Sequence, residues 1–92
     1  MKVEKQILEM KSEVLKALGH PVRLCIVKGL IDEGENNVSY MQGCLDIPQS
    51  TLSQHLAKLK AAGIIECERK GTEIYYRVTN HDAINIIKTI FE

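Results

Sequence analysis

Apolar residues recur at Val3, Ile7, Met10, Val14 and Leu18, with Leu8 and Leu15 alongside. That four-three spacing predicts a long amphipathic helix from about Val3 to Leu18, able to pack on another helix. Gly19 sits where a left-handed C-terminal cap belongs, and Pro21 suits the first turn of a second helix running to about Asp32, with Leu24, Val27, Leu30 and Ile31 inward. Gly34, Glu35, Asn36 and Asn37 read as a loop, followed by a short helix from Val38 to about Leu45. Asp46-Ile47-Pro48 is a turn, because the residue before a proline resists helix while the proline tolerates a helix start. After Gly63 the period falls to two: Ile65, Cys67 and Arg69 alternate with Glu66, Glu68 and Lys70, and Ile74, Tyr76 and Val78 alternate with Glu73, Tyr75 and Arg77. Two such runs around Lys70-Gly71-Thr72 predict a β-hairpin with Cys67 on its inward face. Thr79 and Asn80 offer capping oxygens to a last helix with Asp82 in its first turn. That helix carries Ile84, Ile87 and Phe91 on one face and Ile86 and Ile90 on another, too apolar for an isolated surface helix, so part of it is expected to meet a partner chain.

The segment from Pro48 to Lys60 carries the functional signal. Leu52, Leu56 and Leu59 keep the i, i+4, i+7 spacing of a buried stripe, while Thr51, Gln54, His55 and Lys58 gather on another side. A solvated helix normally shows Glu and Lys there, whereas Gln, Ser, Thr and Lys fit base edges and phosphates in a DNA major groove. The element order is then helix, helix, short helix, recognition helix, two strands and helix (α-α-α-α-β-β-α), a winged helix-turn-helix.

The 92 residues suit one domain, and 45% hydrophobic with 26% charged residues are ordinary globular values. No apolar run approaches the ~20 residues of a membrane span, and no charged-then-apolar leader opens the chain, so a cytoplasmic protein without a membrane role is expected. Net charge is zero, with 12 basic and 12 acidic residues, but the stretch from Gln49 to Arg77 holds five basic and three acidic ones. This modest bias predicts nucleic-acid binding that needs two subunits and fades with salt. There is no nucleophile–base pair, HExxH, P-loop or GxGxxG, so catalysis is not expected. The competing class is a winged helix whose polar face docks on protein instead of reading bases.

Four motifs, Gly19-His20-Pro21-Val22-Arg23-Leu24, Ser50-Thr51-Leu52-Ser53-Gln54-His55-Leu56, Gly63-Ile64-Ile65 and Ile74-Tyr75-Tyr76-Arg77-Val78, resemble the ArsR/SmtB family of bacterial repressors from about residue 12 onward. The resemblance implies a homodimer built from the first and last helices, an inverted-repeat operator on double-stranded DNA, and repression relieved by an inducer. The Cys-x-Cys metal motif of many relatives is replaced here by Asn37 and Ser39. The last-helix zinc set of others is represented only by Asn80, His81 and Asp82, and the chain ends at Glu92 where a second pair would come. His20, His55 and His81 lie on three different elements, so no metal site and no cofactor are expected.

On side-chain chemistry, Gln54 can bond adenine at two atoms and Thr51 can meet a thymine methyl or a phosphate. Ser50, Ser53 and Lys58 suit phosphates, Gln49 lies at the positive helix N-terminus, and His55 can take either role. Arg69 and Lys70 at the hairpin tip can reach a minor groove or its backbone. Cys25, Cys44 and Cys67, an odd number without a CxxC pair, are either small core residues or thiol sensors. Cys44 is expected near the end of a buried helix, and Cys25 beside the apolar stripe of the second.

Overall fold

The elements follow the order α1 (Lys5–Leu18), α2 (Pro21–Glu33), β1 (Asn36–Asn37), α3 (Val38–Leu45), α4 (Gln49–Ala61), β2 (Ile65–Lys70), β3 (Glu73–Val78) and α5 (His81–Ile90) in a computed structural model that describes residues 2–92 and every side chain among them but that of Val38. All predicted elements are present within two residues of their expected ends. One was missed. Asn36 and Asn37, expected as loop, pair antiparallel with Tyr76 and Tyr75, giving a three-stranded sheet in the order β1-β3-β2. Two asparagines carry no period-two signal, and the strand exists only because β3 offers an open edge.

The core is a continuous set of aliphatic residues from every helix and from β2: Val14 and Leu18 of α1, Ile26, Val27 and Leu30 of α2, Met41 of α3, Leu52, Leu56 and Leu59 of α4, Ile65 of β2 and Ile87 of α5. Leu24 and Ile31, expected inside, are half-buried, and Ile26 takes the deeper place. The α4 leucines lie under the recognition segment with Leu52 and Leu59 at 0% exposure. Each fully buried side chain of this size stabilises the fold by roughly 1.5–3 kcal/mol.

Local signals explain how the elements are oriented. Gly19 has φ −80°, not the left-handed value expected, and the chain turns there on short-range bonds from Gly19 N to Lys16 O and His20 N to Leu18 O. His20 then caps α2, its Nδ1 accepting from Val22 N at 3.1 Å, with Pro21 in the first turn. Asp46 takes a left-handed conformation (φ 52°) between α3 and α4, a conformation that Asp tolerates better than most residues. Gly63 (φ 75°) ends α4, and the next residue ties the hairpin's base to it: Ile64 N donates to Leu59 O, while Thr79 N and Asn80 N donate to Ile64 O. Asn80 caps α5 through Ala83 N at 2.9 Å. Lys11 pairs with Asp82, joining α1 to α5.

One part of the apolar pattern is not buried. Val3, Ile7, Leu8, Met10 and Leu15 of the first segment and Ile90 and Phe91 at the end are exposed, Met10 at 65% and Leu15 at 58%. Among the described residues no helix is long and apolar enough to cross a membrane.

Candidate nucleic-acid interface

The α4 helix is divided by its own sequence. Leu52, Leu56 and Leu59 are driven inward, and the periodicity of the helix turns Gln49, Ser50, Ser53, Gln54 and Lys58 outward, where all five are exposed. Gln49 and Ser50 begin the helix after Pro48, so its unpaired backbone N–H groups face solvent beside them. The acidic residues of this half of the chain lie elsewhere, since none falls within α4. Thr51 is half-buried at the margin of the polar face.

His55 does not sit with the others. It is half-buried, its Nδ1 lies 3.2 Å from Nη1 of Arg23, and its ring packs against His20 with centroids 4.5 Å apart. Burial, followed by the charges of His20, Arg23 and Lys58, pushes its pKa below the ordinary imidazole value, favouring the neutral ring that can accept from the guanidinium. Two histidines that the element reading kept apart are thus neighbours. They bring no third ligand with them, and the described residues contain no group of three or more His, Cys, Asp or Glu able to hold a metal.

Arg23 is the residue that sequence reasoning missed. It is 9% exposed and donates from Nε to the Ala17 carbonyl at 2.5 Å as well as facing His55, so it ties the end of α1 to α2 and α4. Its position one residue beyond Val22, among Leu24, Ile26 and Val27, was the available signal: an arginine inside an apolar helix face needs partners on both sides. Lys58 opens onto a shallow hollow shared with Lys16, Arg23 and Glu13, three cations against one carboxylate.

The wing presents its charges differently. Arg69 is exposed and its Nε donates to the Gly71 carbonyl at 3.2 Å, which keeps the guanidinium at the hairpin tip. Lys70 is paired with Glu35 and lies 5.0 Å from the centre of the Tyr75 ring. The hydrogen bond between them raises the Lys70 pKa and lowers that of Glu35. Arg77 is shared among Glu35 at 3.5 Å, Glu66 at 3.1 Å and Glu68 at 3.8 Å. Of the tip cations, Arg69 has no carboxylate partner among the described residues, whereas Lys70 must leave Glu35 to meet a phosphate.

The cysteines are all free. Cys67 is half-buried in β2, opposite Tyr76, in keeping with the inward face expected for it. Cys44 is exposed, correcting the expectation of a buried helix end: α3 buries Met41 and packs Leu45 partly on the core, while Gly43 and Cys44 face out. Cys25 is exposed on α2.

Comparison with known proteins agrees with this arrangement. A helix-turn-helix domain model matches residues 18–68. The chain is 40% identical over 89 residues to the transcriptional repressor PagR of Bacillus anthracis, covering 97% of this chain and 89% of that protein. The crystal structure of that repressor superposes with a TM-score of 0.86, covering 95% of this chain and 99% of the other. The HTH-type transcriptional repressor SmtB of Mycobacterium tuberculosis is 41% identical over 90% of this chain, which spans 61% of that protein's length. The structure of the transcriptional repressor BigR from Xylella fastidiosa matches with a TM-score of 0.79 and 36% identity, with 98% of each chain covered. A divided α4, a hairpin anchored to its end and these relatives lead to one conclusion: the chain belongs to the ArsR/SmtB family of winged helix-turn-helix repressors, DNA-binding regulators of transcription and not enzymes.

Proposed function

We propose that this chain works as a homodimeric repressor that inserts α4 of each copy into the major groove of an inverted-repeat operator, with the wing on the flanking backbone or minor groove. The observation that carries this reading is the contrast along α4, with three leucines buried and Gln49, Ser50, Ser53, Gln54 and Lys58 exposed in line. Gln54 and Thr51 read base edges, Ser50, Ser53 and Lys58 hold phosphates, and Gln49 meets a phosphate at the helix N-terminus. His55 contributes by fixing α4 against Arg23, and only secondarily through DNA. Arg69 is the first wing contact and Lys70 the second, after release from Glu35.

The exposed apolar residues of α1 and the end of α5 support the dimer. Scattered apolar side chains need no explanation, but four on one helix, with Val3 just before it and Ile90 and Phe91 at the end of α5, are better covered by a second copy. Two-fold symmetry then matches a palindromic site, with the two α4 helices about 34 Å apart along the duplex. Relief of repression by an inducer or by thiol modification fits the exposure of Cys25 and Cys44.

The test is selection of bound fragments from the source genome, followed by affinity measurements on the best fragment and on scrambled DNA. The double variant Thr51→Ala, Gln54→Ala should lose affinity for the selected fragment by about 1–3 kcal/mol and little for scrambled DNA, while Lys58→Ala should weaken both alike and lower the salt slope by about one. Equal losses on both DNAs for every variant would remove base reading. A salt-insensitive protein complex with no DNA retardation would favour the protein-docking alternative.

A further inference from the structure

Between α2 and α3 lies a cavity of about 130 Å³ to which no α4 residue contributes, and both exposed cysteines line it. Cys25, Gly29 and Leu30 come from α2, and Tyr40, Met41 and Cys44 from α3, so that two thiols share an otherwise almost wholly apolar lining. The hollow is open to solvent at Cys25, Tyr40 and Cys44, and size indicates what fills it: an apolar protein cavity of about 150 Å³ takes up benzene, so this volume suits an occupant of about one six-membered ring. Lining chemistry limits it further, since the reactive groups present are thiols and one phenol. Cys67 stands apart on β2 and serves as an internal reference.

We propose that this cavity is a binding and modification site for small apolar α,β-unsaturated carbonyl compounds of about one ring, which enter between α2 and α3 and alkylate Cys25 or Cys44. The sulfur, as thiolate, forms a bond to the β-carbon. The π pair of the C=C bond moves toward the carbonyl as an enolate, and the proton given up by the thiol is returned through solvent to the α-carbon. Sulfur and hydrogen have then added across the double bond with no oxidant consumed and no group expelled. Tyr40 lines the same cavity, and the neighbouring Cys44 raises its pKa, so the phenol remains a donor for the carbonyl oxygen.

The consequence for DNA rests on the function proposed above. α3 is the first helix of the helix-turn-helix and is joined to α4 by Asp46, Ile47 and Pro48 alone. A ring bonded in that space fixes the spacing of α3 from α2, and with α3 the position of α4, so that α4 can no longer adjust to the groove and affinity for the operator falls.

The intact chain is treated with 2-cyclohexen-1-one, and adducts are followed by mass spectrometry with peptide mapping. Labelling of Cys25 or Cys44 should rise with probe concentration and then saturate, and unreactive cyclohexanone should slow it. Cys67 should show a linear dependence and no competition. Gly29→Leu keeps both thiols but fills the cavity from α2. A Cβ at this position meets nothing within 4 Å, so the new side chain leaves the backbone without a clash, and circular dichroism checks that the variant is folded. It should lose saturation and label at least about tenfold more slowly, a change equivalent to ~1.4 kcal/mol of binding. Linear labelling at all three cysteines at the rate of free cysteine, with no effect of cyclohexanone, would overturn the site, and this result comes from the native chain even if the variant misfolds. Retardation of the selected DNA fragment is measured in parallel. Saturable labelling with unaltered DNA affinity would uphold the site and overturn its link to α4. Absence of any fragment bound by the untreated protein would remove the DNA reading and leave the labelling result standing.

Discussion

The molecule leaves two faces open, and they differ in chemistry. The outer face of α4 is polar, with Ser53, Gln54 and Lys58 in water above leucines of negligible exposure. The outer face of α1 is apolar, with Ile7, Leu8, Met10 and Leu15 in water, and Ile90 and Phe91 are exposed as well at the end of α5. A polar face in water loses nothing by waiting and is available to a ligand that competes with solvent for its hydrogen bonds. An apolar face gains roughly 25 cal/mol for each Å² it hides, so it favours permanent cover. Under the proposed function, openness therefore means opposite things at the two places: a reading surface at α4 and an assembly surface at α1 and α5.

This contrast can be broken in order of effect. Leu52→Ala should cost about 3 kcal/mol, the usual penalty for emptying a filled core site, seen as a lower urea midpoint and loss of all DNA binding. Leu15→Ala, measured at a concentration too low for association, should cost less than about 0.5 kcal/mol. Equal costs at the two positions would mean that α1 is part of a finished monomer core. Leu8→Glu with Leu15→Glu places two charges on the apolar face, and sedimentation equilibrium should show self-association weakened by about 100-fold, or ~2.7 kcal/mol, with helical content kept. An unchanged sedimentation profile would remove the assembly role. The Thr51→Ala, Gln54→Ala pair should reduce operator affinity by about 1–3 kcal/mol while leaving thermal stability nearly unaltered. Gly29→Ala should raise stability by about 0.5–1 kcal/mol, since α2 gains helix propensity and the added methyl meets nothing within 4 Å.

The smallest effect concerns His55. Burial holds its folded-state pKa below the ordinary 6.5, so on acidification the unfolded chain takes up the proton first. Stability should therefore decline as pH falls below about 6.5 and keep declining until the folded ring is protonated as well. Arg23, His20 and Lys58 face that added charge. In His55→Gln this part of the decline should be missing, which denaturant midpoints at about pH 7.5 and about pH 5.5 would show. An identical slope in both proteins would assign the acid sensitivity to other groups.

Most of the fold was legible because its signals are local. The leucine spacing in α4, Pro21 at the start of α2, the alternation on either side of Gly71 and the Asn80 cap each act within one element, and all appear at their expected positions. The failures share a cause. Asn36 and Asn37 become a strand only because β3 lies beside them. Gly19 turns without a positive φ because His20 and Pro21 restart the chain at once. Cys44 is exposed because α3 gives the core Met41 and, in part, Leu45 but not Cys44, and His20 meets His55 because packing brings the start of α2 against α4. None of these contacts leaves a trace in periodicity.

By itself, then, the sequence determined the helices and hairpin, their order, and which side of α4 holds its leucines, since each follows from spacing along one segment. Tertiary structure alone decided that Arg23 anchors His55, that Lys70 is engaged by Glu35 while Arg69 is not, and that Cys25 and Cys44 border one cavity. Those are pairings between residues far apart in the chain, and their geometry exists only once the core has set the angles between helices.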